Sequence, residues 1–161
     1  MVDDFDAFSR KRDEERRNQE RLAKETKPEW EVLKGLVYQF ALDGKGIDGR
    51  KFEWVPDLSG RGLLALSFVS AVLFDGGERN GVPQDCRVRF SRKPAGSGED
   101  YVDDSPLAPR TWSLEPDILD DEFVWFVERG RRLSSAELAE EIAKELARFH
   151  IEYEKSYGRA S

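Results

Sequence analysis

The sequence predicts an α+β fold: an antiparallel sheet of about five strands, an amphipathic helix before it, a long C-terminal helix after it, and a charged N-terminal helical arm in front. Three observations lead there. Leu138, Ile142, Leu146, Phe149, Tyr153 and Tyr157 form one stripe at helical spacing, with Ser134 and Glu137 placed ahead of it as a capping box. Trp30, Leu33, Val37, Phe40 and Ala41 repeat that spacing nearer the N-terminus. Between the two helices lie short runs that alternate or are wholly apolar, separated by Gly, Asp, Asn and Pro.

The elements follow in order. Residues 1–26 read as an arm whose middle, RKRDEERRNQER, is polar on every side and is held as a helix by pairs such as Asp13–Arg17 and Glu20–Lys24. Phe5 and Phe8 lie one turn apart at its acidic tip. TKPE predicts a new helix start, with Thr26 as cap, Glu29 reaching back and Pro28 in the first turn, so that residues 27–161 form a single α+β domain. KFEWV is the first strand. GLLALSFVSAVLF (62–74) reads as one strand apolar on both faces, Leu64, Leu66, Phe68, Val72 and Phe74 against Ala65, Val69, Ala71 and Leu73, with a helix as the rival reading.

After the turn DGGERNGVP, CRVRF places Cys86, Val88 and Phe90 inward and Arg87 and Arg89 outward. KPAGSGEDYVDDSPLAP is a loop. TWSLEP and EFVWFVERG are expected to pair, joined by DILDD, with Phe123, Trp125 and Val127 on one face and Val124 and Phe126 on the other. Two strands apolar on both faces need cover twice. Either the two packing helices lie on opposite faces, or a second copy of the chain covers one of them and the protein is a homodimer.

Charge and composition exclude several classes. The net charge is −7, and residues 96–128 hold ten of the 33 acids against one base. Affinity for phosphates needs Lys and Arg to neutralise them, so no nucleic-acid partner is expected. The longest uncharged apolar run has 13 residues, short of the roughly 20 a membrane helix needs, so no membrane association is expected. A single cysteine and an acidic N-terminus without an apolar run point to a cytoplasmic protein.

No cofactor is expected. Gly44, Gly46 and Gly49 match a dinucleotide-binding pattern, but that chemistry needs a strand before and a helix after, and here the order is reversed. No metal is expected either, since the acidic clusters lack calcium-loop spacing and no His or Cys accompanies them. His150, with Glu154 one turn on, is the sole pair suited to general-base work, and no nucleophile accompanies it. As a helix-edge histidine it is expected to be partly exposed. Cys86 is expected to be a buried thiol.

The reading is a non-enzymatic adaptor or regulator that binds another protein. Phe5 and Phe8 would enter an apolar groove, while Asp100, Asp103, Asp104, Asp117, Asp120 and Asp121 form an acidic face that steers a basic partner. The rival reading is a small-ligand or substrate site in the concavity of the sheet, lined by Trp54, Trp112 and Trp125 with Arg87 or Arg89 as anion clamp.

Overall fold

In the computed structural model, which describes residues 2–43, 46–47, 49–54, 62–92 and 108–157, the first helix does not break where TKPE suggests. Helix α1 runs from Val2 to Leu42 with Pro28 inside it. Pro28 has no N–H for the carbonyl of Lys24, and its ring crowds that carbonyl, a local cost of about 3 kcal/mol. Tertiary packing offsets it. Leu22, Thr26, Trp30, Leu33 and Val37 share one face, so the packing surface crosses the expected boundary without interruption. Thr26 is fully buried, and its hydroxyl donates to the Leu22 carbonyl at 2.6 Å, the bond of a mid-helix threonine rather than a cap.

The strands follow as β1 (Gly46–Ile47), β2 (Arg50–Lys51), β3 (Glu53–Trp54), β4 (Gly62–Leu66), β5 (Val69–Phe74), β6 (Glu78–Arg79), β7 (Val82–Pro83), β8 (Arg87–Arg92), β9 (Arg110–Ser113), β10 (Glu115–Leu119), β11 (Glu122–Val127) and β12 (Arg131–Leu133). Helix α2 (Ser135–Tyr157) closes the fold. The fold is α+β, with a five-stranded antiparallel sheet in the order β3-β4-β5-β8-β9. A three-stranded antiparallel meander, β10-β11-β12, stands beside it, and β1–β2 and β6–β7 are small hairpins.

The apolar run 62–74 is a hairpin. Leu66 pairs with Val69 across a two-residue turn in which Ser67 takes φ 54°. This changes the face of every side chain that follows. A single strand would set Leu64 and Leu66 opposite Val69, Ala71 and Leu73. The turn pairs Leu64 with Ala71 and Leu66 with Val69, so all five share one face and all five are buried. The sheet therefore has one strongly apolar face, extended by Val88 and Phe90 of β8 and Trp112 of β9. Both α1 and α2 pack on it and against each other, so the helices do not sandwich the sheet.

The stretch TWSLEP also divides. Arg110–Ser113 pairs with β8, while Glu115–Leu119 moves to the second sheet and pairs with β11. Leu114 between them is anchored by its N–H to the Cys86 carbonyl at 2.9 Å. DILDD is thus mostly strand, and only Asp120 and Asp121 form the turn, both at positive φ (50° and 66°), a conformation that aspartate tolerates better than most residues. Phe123, Trp125 and Val127 face the core as expected. Val124 and Phe126 on the other face are only half-buried, with Arg132 laid over the Phe126 ring at 5.2 Å.

The capping box of α2 forms. The Ser134 N–H donates to Glu137 Oε1 at 3.1 Å, and the Glu137 N–H donates to Ser134 Oγ at 3.2 Å. These bonds, the one from the Ser134 backbone first, hold the Glu137 carboxyl below its ordinary range. The stripe beneath is fully buried from Leu138 to Phe149, and Tyr153 packs against its edge.

Candidate functional site

The arm is the exposed part of a continuous helix. Every residue from 6 to 17 is exposed, and packing begins at Asn18. At about 1.5 Å per residue, the exposed positions 6–17 make up roughly 18 Å of helix. Phe8 stands 63% exposed near the free end. The side chain of Phe5 lies outside the described residues. Within the arm, Asp13 pairs with Arg16 at 3.0 Å and its carbonyl receives Arg17 Nε at 3.4 Å, so local charge pairing supports the helix.

The root of the arm is held at three places. Arg21 Nη1 donates to both the carbonyl and the carboxylate of Asp121, at 2.9 and 2.6 Å, and Arg21 Nε meets Glu25 at 3.1 Å. Hydrogen bonding to Glu25 above all raises the Arg21 guanidinium further above its ordinary value. Lys27 pairs with Glu78 at 3.0 Å. Trp30 Nε1 donates to Asp75 Oδ2 at 3.1 Å, and Asp75 Oδ1 accepts the N–H of Gly77. The hairpin β6–β7, turned at Asn80 and Gly81, is thereby tied to the helix.

Between Gln19–Thr26 of α1, this hairpin and the β9–β10 junction lies an open cleft of about 840 Å³. Leu22, Val82, Pro83, Cys86, Leu114 and Pro116 supply its apolar lining. Cys86 is buried, as its alternation with Val88 and Phe90 implies. Burial first, and then the Asp75 carboxylate, push its thiol up to about 12. The protonated thiol is the form the fold favours. Its contribution to stability is complete below the unfolded value of about 9 and drains away as pH rises from there toward the folded value. Cys86 is accordingly expected to resist a chromogenic thiol reagent at pH 8 until the chain is unfolded; immediate labelling of the folded protein would contradict this burial.

The remaining sequence candidates are placed as follows. Asp117 pairs with Arg132 at 3.4 Å and accepts the N–H of Ile118, Asp121 is held by Arg21, and Asp120 is exposed at the turn. Asp100, Asp103 and Asp104 lie outside the described residues. The tryptophans are packed by different neighbours. Trp125 is fully buried with its N–H on Ser135 Oγ at 3.0 Å, Trp112 meets Phe90 edge-on at 4.8 Å, and Trp54 meets Tyr38 at 4.9 Å. Val88 pairs with Trp112, so strand alternation turns Arg87 and Arg89 to the other face of the sheet, where Arg87 lies over Phe74 at 5.4 Å. The anion clamp and the tryptophans are therefore not brought together.

His150 is 1% exposed rather than at an open helix edge. Its Nε2 lies 3.0 Å from Arg50 Nη1 and 3.4 Å from Glu154, and Arg50 also contacts Glu154. A guanidinium only donates, so Nε2 accepts from Arg50 when the imidazole is neutral, whereas the Glu154 contact calls for Nε2 to donate; the ring nitrogen stands between the two. The sequence reading missed Arg50, and it missed a second carboxylate cradle in which Arg110 of β9 meets Glu145 at 2.8 Å, contacts Glu152 and lies over Phe149. Burial pulls the Arg110 guanidinium down, and the two carboxylates more than offset it, leaving it raised. No sequence signal marks either arginine, because each meets its partners across a long stretch of chain.

Among the described residues no group of three or more His, Cys, Asp or Glu side chains is placed to hold a metal ion, and no helix is long and apolar enough to cross a membrane. No family model, curated protein or solved structure matches this chain. The class that can be stated is accordingly structural: an α+β domain with a long N-terminal helix that runs on beyond its body.

Proposed function

We propose that the protein is a non-enzymatic binding module whose projecting helix engages another protein chain. The observation that carries this reading is the unbroken helix α1, which is packed from Asn18 onward, exposed from residue 6 to 17, and bears a largely uncovered phenylalanine at position 8. An exposed aromatic side chain on a preformed helix is the ordinary anchor of helix-in-groove recognition, since little ordering entropy is lost on binding. Asp120 and the acids of 96–128 would add steering toward a basic surface.

The test places a photo-crosslinking residue at position 8, identifies the captured chain, and measures its affinity as a purified protein. Phe8→Ala is expected to weaken that affinity by about thirtyfold or more, the loss typical of an aromatic hot spot. Equal affinity for Phe8→Ala and the parent would remove the arm from the binding surface.

A further inference from the structure

We infer that the chain which occupies the arm is a second copy of this protein, its arm laid antiparallel along the first to form a closed two-fold dimer. The inference rests on the proposed role of the arm and names its partner. Phe5, Phe8, Arg12, Glu15, Gln19 and Leu22 follow one another at alternating steps of three and four residues, so they form a single seam along α1. Inside the body the same stripe, continued through Thr26 and Leu33, is buried; from Phe8 to Gln19 it is open. The seam passes directly into the cleft, whose wall includes Gln19 and Leu22.

Charge selects the partner and its direction. When two arms run antiparallel with Phe8 level with Gln19 and Phe5 level with Leu22, Arg12 of each copy falls level with Glu15 of the other. Two ion pairs then flank the two-fold axis. Among the described residues neither Arg12 nor Glu15 forms an ion pair within its own chain, so both remain available. The acidic tip, Asp3, Asp4 and Asp6, falls level with Lys24 of the second copy, which has no carboxylate partner among the described residues, and with Arg21, which Glu25 and Asp121 already engage. Parallel arms would instead set Arg12 on Arg12, Glu15 on Glu15 and one acidic tip on another.

The two Phe8 rings are the aromatic anchors of this contact, each 63% exposed in the free chain. Each tip then rests against the apolar cleft of the other copy, and the two bodies stand at opposite ends of the paired helices.

Sedimentation across a concentration series tests this with charge exchange. Arg12 and Glu15 are exposed, so substitution there leaves the fold intact. Parent chain is expected to dimerise. Arg12→Glu and Glu15→Arg should each weaken self-association by about tenfold or more, because both cross-axis pairs become like-charged. Mixing these two variants should restore a heterodimer, and the double exchange should restore the homodimer. A parent chain that stays monomeric at every concentration, single variants that dimerise as well as the parent, or a mixture that fails to recombine overturns the inference. Phe8-dependent capture of a different protein by a monomeric parent chain would overturn it too, while leaving the binding role of the arm in place.

Discussion

Trp30→Ala is expected to lower the stability of the protein by about 3–5 kcal/mol, the range for removing a large aromatic side chain from a well-packed core. Trp30 is 2% exposed, packs edge-on against Trp125 at 5.9 Å and donates its indole N–H to Asp75 at 3.1 Å. It is the point where α1, the meander and the β6–β7 hairpin meet, so the vacated volume lies between three elements that cannot all close on it. A loss of this size is a large part of the 5–15 kcal/mol available to a typical domain. Trp30→Phe keeps most of the apolar area and removes only the donor to Asp75, whose other oxygen keeps Gly77, and should cost about 1–2 kcal/mol. Urea unfolding of both variants checks this. An alanine variant as stable as the parent would show that α1 is not docked through Trp30.

Pro28→Ala is expected to change stability in the opposite direction, by about 1–3 kcal/mol in favour of the fold. Alanine restores the N–H that the Lys24 carbonyl lacks and relieves the ring's crowding of the preceding turn. The sign decides between two structures of this segment. If a new helix began at Thr26, Pro28 would sit in a first turn, where a missing N–H costs nothing, and alanine would be neutral or slightly harmful. A rise in melting temperature of a few degrees supports the continuous helix; no rise would detach the arm from the domain and remove the geometry on which the arm dimer depends.

Much of the architecture is legible in the residues, and the limits have physical causes. The stripe from Leu138 to Tyr153 and the Ser134–Glu137 box define α2 because each depends on spacing within a few turns. The alternation around Val88 is equally local, and it alone turns Arg87 and Arg89 away from the core. The hairpin within 62–74 is hidden because its turn, Ser67–Phe68, carries none of the Gly, Asn or Asp that usually mark a two-residue hairpin, and the strain at Ser67 is borne by pairing on both sides. Thr26-Lys-Pro-Glu carries a sound local signal for a helix start, and it loses to an apolar stripe that continues through it.

The site shows the same division. Phe8 and the charged middle of the arm can be read directly, since exposure follows from a helix that lacks an apolar face all round. The cleft at its root cannot, because its walls come from residues 19–26, 79–87 and 113–116, which only the folded chain brings together. The burial of His150 against Arg50, and the capture of Asp121 by Arg21 a hundred residues away, were likewise decided by tertiary contacts. Short-range periodicity and turn chemistry determined which elements form. Which faces meet, and which charges are already satisfied, depended on contacts between residues far apart in the chain, whose energies no local window contains.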